Sequence, residues 1–246
     1  MSSAMVRAVR KRLVNGCRVL AGHGQGDLIW GHLSVRMPGE PDKLFIKPAG
    51  LGLEEIDDEH LIVADLDGNR LTGRWPMHAE VFIHTEIFRR RADVQAVVHT
   101  HPSHAVAFSA LGVPLQPVGH EGALFIDGLP VFSQTSDLIV NAELGRALAS
   151  TLGVERAALM RNHGIVTVGQ SIGEAVMTAL LLEKACRVQL LAMSAGGGLV
   201  LPAAADARAK RDRLYRPATF ETAFDYCERL VAARASTGCS CGGHGP

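Results

Sequence analysis

Residues 94 to 104 read VQAVVHTHPSH, and this run constrains the chain more tightly than any other. VQAVV is short, apolar and β-branched, the pattern of a buried strand. His99 and His101 follow at i and i+2, and the alternation of a strand points both rings to one face. Two neutral imidazoles on one face are half of a chelate for zinc, cobalt, manganese or iron. The competing reading is a pair of strand-end histidines satisfied by hydrogen bonds.

Other segments offer the missing partners. His163 stands in ALMRNHGIVTVG, where a His-Gly step precedes another strand-like run and Gly164 lets backbone or substrate come close to the ring. Glu80 lies in WPMHAEVFIHTEIFRRR, whose apolar residues Val81, Ile83, Ile87 and Phe88 and basic end predict a helix over about 78–91, opening after Pro76. A carboxylate on that first turn has three available roles: fourth ligand, acid/base, or partner of the helix dipole.

The remaining pattern is α/β in one domain. An opening helix (about 4 to 22) leads into strand-like LSVRM and KLFIKP, then a loop, LIVADLDGN, turning at Asp67 and Gly68. A helix from about Ser103, strands PLQPVGH and LPVFS, helix NAELGRALASTLG and the strand pair AALMRNH and GIVTVG follow. Residues 171–195 have helical spacing, with Ser171 and Glu174 set as a capping box. There is no internal repeat, and the domain spans 1–235; the tail 236–246, STGCSCGGHGP, is predicted to be disordered, its Cys239 and Cys241 incidental rather than a metal site.

The chain has 25 acidic and 25 basic residues, which removes the electrostatic case for nucleic acid or an anionic membrane as partner. Arg89, Arg90 and Arg91 fit the solvated last turn of a helix. The N-terminal segment lacks the basic start, apolar stretch and small-residue cleavage site of a leader, so a cytoplasmic location is expected. Cys17, Cys186 and Cys227, spread singly through helical patterns, are expected as small core residues.

Five ordered blocks, GHLSVRMPG, FIKPAGLGLEEI, the PMHAEVFIHTEIFRRRADVQAVVHTHP run, RNHGIVTVG and SIGEAVMTALLLEKACRVQLLA, resemble the class II aldolase/adducin family over roughly residues 5 to 230. The resemblance implies a three-layer α/β/α fold with a mainly antiparallel central sheet, assembled as a homotetramer with active sites between subunits. It implies that His99, His101 and His163 hold one divalent metal ion per chain (Zn, Mn, Co or Fe). Glu80, nineteen residues before His99, matches the catalytic acid/base that also approaches the metal. Such a cation keeps its full charge among neutral ligands and stabilises an enolate, which serves retro-aldol cleavage, epimerisation and decarboxylation alike.

The family's sugar-phosphate members hold phosphate with an asparagine, a Thr-Pro-x-Gly loop and a Ser-Ser pair. Here the matching positions are His32 in GHLS, Lys47 to Gly50 in KPAG, and His78-Ala79 before Glu80. The phosphate-binding hydroxyls are gone, and His32, Lys47, Gly50 and His78 become the expected substrate-binding set, suited to a planar carboxylate or phenolic oxygen. Tyr215 matches, by position, an aromatic region that covers a neighbour's site.

The pattern is closest to the family's metal-dependent decarboxylases of hydroxylated aromatic or heteroaromatic carboxylates. That makes a carbon-carbon lyase acting on a small molecule the leading expectation. An aldolase or epimerase on a small sugar, sugar phosphate or hydroxy-carbonyl compound, or oxygen chemistry at iron, stands behind it. A non-catalytic adducin-like assembly module is the alternative of another class, and retention of all three histidines with the glutamate weighs against it. Of the remaining polar residues, His84 is read equally as a partner that orients Glu80 from one turn away or as a surface or interface histidine, while His104 is expected to start a helix and His120 to be buried and satisfied. Arg36 and Arg161 are possible carboxylate anchors, and Trp30 and Trp75 are expected to pack.

Overall fold

The structure, a computed structural model, describes residues 3–236. Helix α1 (Ser3–Leu20) buries Leu13, Cys17 and Leu20 on one face, and the chain leaves it through a wide turn closed by Gly24, whose φ of 77° suits glycine. Strands β1 (His32–Met37), β2 (Glu40–Ile46), β3 (Ile62–Asp65) and β4 (Arg70–Thr72) form an antiparallel meander. LIVADLDGN, expected as a loop, is therefore half strand. Its turn is held by the Asp65 carboxylate, which accepts from the amides of Asp67 and Asn69 at 2.9 and 2.8 Å.

Helix α2 (Val81–Arg90) leads to β5 (Ala96–Thr100), the HxH strand, and Pro102 then turns the chain into α3 (Ser103–Ser109). After β6 (Val131–Phe132) and α4 (Ala142–Leu152), β7 (Ala157–Met160) and β8 (Gly164–Gly169) form a hairpin. PLQPVGH, expected as a strand, is irregular. Its prolines lack amide donors, and its backbone is bound instead by the Gln189 side chain, at 2.6 Å from Gln116 N and 3.0 Å from Pro114 O. Helices α5 (Ile172–Ser194), α6 (Ala204–Leu214) and α7 (Pro217–Ser236) complete the described chain. Ser171 caps α5 through the Glu174 amide at 3.0 Å, while the Glu174 carboxylate turns to Gln170 N, so half of the expected capping box forms. The tail with Cys239 and Cys241 falls outside the described residues.

The eight strands lie in the order β4-β3-β2-β1-β5-β8-β7-β6, antiparallel at every pairing except β6 with β7. The three-layer α/β/α fold is the one expected. Alternation sorts the core. Leu33, Val35, Ala96, Val98 and Ile165 face α1, α3, α5 and α7, whereas Ile46, Val97, Val166 and Val168 face α2 and α4. Each of the buried leucine, isoleucine and valine side chains contributes roughly 1.5–3 kcal/mol. Cys17, Cys186 and Cys227 are free and buried, as expected. Among the described residues no helix is long and apolar enough to cross a membrane.

The alternation also places the chemistry. Val97 faces α2, so His99 two residues on does too, and its sheet partner His32 stands beside it on β1. The His ends of β1 and β5, the N-terminal end of α2 and the β7–β8 turn therefore meet at one place. A surface hollow of about 540 Å³, lined by Arg36, Met37, Phe88 and Gln95 among others, lies at the opposite ends of β1 and β5, away from these histidines.

Candidate metal centre

Glu80, His99, His101 and His163 offer one ligand atom each within 4.8 Å of one another, the group expected from the sequence. Each is positioned by a different device. His99 sits on β5 between β1 and β8, wholly buried, and its Nδ1–H donates to Ile165 O at 2.9 Å, leaving the Nε2 lone pair free. His101, just past the strand, donates from Nδ1 to Asp27 Oδ2 at 3.0 Å and likewise presents Nε2. His163 lies in the β7–β8 turn, where Asn162 takes a φ of 56° and its amide donates to Ser109 Oγ at 2.9 Å. Glu80 is the N-cap of α2, and its Oε1 accepts from Ile139 N–H at 2.9 Å, so the residue serves the site rather than the helix.

The Nε2 atoms of His99 and His101 face each other at 3.0 Å, and Glu80 oxygens stand 3.6 Å from Nε2 of both His99 and His163. With both Nδ1 atoms donating, two imidazole lone pairs confront one another. Both ring nitrogens of His163 are buried and find no close hydrogen-bond partner among the described residues. A buried polar atom left unpaired is costly, and a shared cation would take one lone pair from each of the three imidazoles and from the carboxylate. The donor set, three imidazoles and a carboxylate, suits several first-row divalent ions.

Electrostatics favours the ligating forms. Burial first, then the charge of His99, pulls the His163 pKa down to about 4. Burial and the same neighbour lower that of His101. Burial resists ionisation of Glu80, but the contact and charge of His99, with the Ile139 amide and His163, outweigh it and hold the carboxyl at about 2.

A second ring of residues borders this cluster. The His32 ring centroid lies 4.3 Å from that of His78 and 4.9 Å from that of His99. Lys47 is fully buried; its ammonium reaches Ile29 O at 3.0 Å, Pro48 O at 3.1 Å and His78 Nε2 at 3.4 Å. Burial lowers the Lys47 pKa to about 8, and burial with the Lys47 charge lowers that of His78 to about 3. Gly50, at φ 84° with open space around it, turns the loop that Ala49 N ties to Pro76 O at 3.0 Å, beside His78. Tyr215 stands apart: its hydroxyl donates to His120 O at 2.9 Å, its ring stacks on Phe220, and none of its contacts reaches the cluster within its own chain.

Several expectations are corrected. His84 does not touch Glu80; it lies between His32 and Ser34, at 2.6 Å from each. Arg36 anchors no carboxylate, because its guanidinium is spent on the carbonyls of Pro41, Phe88, Arg91 and Val94. His120 is exposed rather than buried, and Trp30 is 51% exposed rather than packed. His104 does begin α3, paired with Glu183. Sequence reasoning missed Asp27, Ser34 and the Ile139 amide. Asp27 is one acidic residue in a loop, with no periodicity to tie it to a histidine 74 positions away.

A family model, Class II Aldolase and Adducin N-terminal domain, matches residues 11–190. This chain belongs to the class II aldolase and adducin family. It is an enzyme of the lyase class within that family, as its aldolase and decarboxylase relatives indicate. A 3,4-dihydroxyphthalate decarboxylase of Arthrobacter keyseri is 33% identical over 207 residues, 77% of this chain and 81% of that protein. A 4-hydroxy-3-prenylphenylpyruvate oxygenase/4-hydroxy-3-prenylbenzoate synthase of Streptomyces roseochromogenus subsp. oscitans is 35% identical over 72% of this chain; the match spans 65% of that protein, just under two thirds of its length. Among solved structures, an L-fuculose 1-phosphate aldolase from Glaciozyma antarctica PI12 superposes with a TM-score of 0.85 at 27% identity, covering 95% of this chain and 92% of that one. An aldolase II superfamily protein from Pseudomonas syringae does so with a TM-score of 0.86 at 28% identity, covering 96% and 95%. The class II aldolase fold thus extends beyond the family-model match to nearly the whole chain.

Proposed function

We propose that this chain is a divalent-metal-dependent decarboxylase of a hydroxylated aromatic or heteroaromatic carboxylate. The observation that carries the reading is the wall beside the ligand cluster: imidazoles of His32 and His78 and the buried Lys47 stand where the resemblance puts the asparagine and small hydroxyl residues of the sugar-phosphate enzymes. Two flat rings and a cation suit a planar anion better than a phosphate. The 3,4-dihydroxyphthalate decarboxylase relative supports the same class of substrate.

His99, His101, His163 and Glu80 would hold the cation. When bound, it supplies a Lewis-acid charge where oxyanion character develops. Glu80 takes the proton of the hydroxyl ortho to the carboxylate and delivers it to the ring carbon that bears the carboxylate. The bond to the carboxylate then breaks, its electron pair passes into the ring carbonyl, and a phenolate and carbon dioxide leave. His32 and His78 orient the substrate's acidic groups, with Lys47 acting through His78.

The assembly we propose is a homotetramer in the cytoplasm, with sites at subunit contacts that Tyr215 of one chain helps to cover. Leu28, Ile29 and Trp30, exposed between Asp27 and His32, support an apolar contact beside the site. An aldol lyase on a small hydroxy-carbonyl compound is the second reading, favoured by the likeness to the L-fuculose 1-phosphate aldolase. Carbon dioxide release from a panel of ortho-hydroxy aromatic and pyridine carboxylates, run beside aldol cleavage of sugar phosphates, separates the two. Carbon dioxide from the panel is the expected result, and aldol cleavage alone would return the chain to the second reading.

A further inference from the structure

Ser34, His84 and His32 form a buried chain of hydrogen bonds that ends beside the metal ligands. Ser34 lies on β1 two residues after His32, on the same face, and His84 reaches them from α2. Ser34 Oγ lies 2.6 Å from His84 Nδ1, and His84 Nε2 lies 2.6 Å from His32 Nδ1. Exposure is 0% for Ser34 and His84 and 1% for His32, so water supplies little to any of the three.

The direction of these bonds follows from counting donors and acceptors. The Ser34 hydroxyl has no other partner among the described residues, and a buried hydroxyl proton left without an acceptor is costly. Ser34 therefore donates to His84 Nδ1. That fixes His84 as the tautomer carrying its proton on Nε2, which donates to His32 Nδ1. In a neutral His32 the proton must then sit on Nε2, the nitrogen with no protein partner among the described residues. The reverse direction would put protons on His32 Nδ1 and His84 Nδ1 and strand the serine proton. Among the described residues no carboxylate is hydrogen-bonded to either ring, in keeping with two neutral imidazoles.

We infer that Ser34, acting through His84, locks His32 into the Nε2–H tautomer, so that His32 presents a fixed hydrogen-bond donor to an anionic oxygen of the substrate. Ser34 and His84 are positioning residues, and His32 is the group that meets substrate. The substrate half of this inference rests on the decarboxylase reading; the tautomer half does not. A fixed donor selects a carboxylate or phenolate oxygen at that point and rejects a group, such as an ammonium, that offers only N–H protons. A donor held ready in a buried site needs no reorganisation when charge develops.

Neutron diffraction from deuterium-exchanged, metal-loaded crystals tests the tautomer without reference to turnover. Deuterium on His32 Nε2, His84 Nε2 and Ser34 Oγ is expected; deuterium on His32 Nδ1 would overturn the inference. The companion variant is Ser34→Ala, with Ser34→Thr restoring the hydroxyl. Ser34→Ala should populate the His32 Nδ1–H tautomer, weaken salicylate binding by roughly 10-fold and leave metal content unchanged, while Ser34→Thr recovers both tautomer and affinity. Equal salicylate affinity in wild type and Ser34→Ala would overturn the donor role. If the tautomer is as expected but no panel carboxylate loses carbon dioxide, the decarboxylase reading fails and the relay stands.

Discussion

Asp27 Oδ2 lies 3.0 Å from His101 Nδ1, which fixes the His101 tautomer and aims its Nε2 at the Nε2 of His99, 3.0 Å away. A carboxylate behind a ligating histidine sets the ring's orientation and raises its basicity. Asp27→Ala is expected to weaken metal affinity by about 10- to 100-fold, measured by competition with a chromogenic chelator. Wild-type affinity in the variant would mean that the His101 ring is held by something else.

Gly164 tests how closely the β8 backbone must pass the ligands. A Cβ there would fall 2.5 Å from Thr100 O, 2.7 Å from His101 Cδ2 and 3.3 Å from His99 Cε1. Because β5 and β8 are paired, neither side can retreat without disturbing both rings. Gly164→Ala should lower stability by roughly 1–3 kcal/mol and reduce metal affinity as well. A denaturant titration in chelator and in excess zinc separates the two losses, since the metal-linked part appears only in the second.

Glu80 is positioned both to take a proton and to sit near the metal. Glu80→Gln keeps an oxygen for the Ile139 amide while removing the basic carboxylate. Turnover should fall by about 10²- to 10⁴-fold with metal content largely retained. Retention of full turnover would remove Glu80 from the chemistry.

Lys47 gives a pH signature of stability. Its folded pKa of about 8 lies below the ordinary lysine value of 10.5, with burial as the first cause, so the folded protein sheds this proton before the unfolded chain does. The unfolded state binds more protons between these values, and stability contributed by this site rises as pH climbs through that window. The gain is on the order of 3 kcal/mol across the full window. Unfolding free energies of wild type and Lys47→Met, compared at pH 7.5, 9 and 10.5, should diverge in that direction. A pH-independent difference would contradict the buried ammonium.

The three histidines and Glu80 were legible because each lay in a segment with strong local character: a β-branched strand, a His-Gly step and a helix start after proline. The sheet strands flanking them were legible for the same reason. What stayed hidden depends on contacts between distant segments. His84 and Glu80, four residues apart, suggested a shared helix face, but Glu80 is the cap and not part of the regular turn, so His84 points to β1 instead. Arg36 looked like an anion anchor until its neighbours proved to be backbone carbonyls at the end of α2. PLQPVGH has the alternation of a strand, and only the position of Gln189 on α5 reveals what binds its backbone.

The most direct test of the account is metal stoichiometry, measured by elemental analysis on wild type and on His163→Ala after equilibration with zinc or manganese and removal of free ion. About one divalent ion per chain in wild type and a large loss in His163→Ala is the expected result, because His163 offers one of the four clustered ligand atoms. Wild-type stoichiometry in His163→Ala, or no bound ion in either protein, would contradict the three-histidine centre.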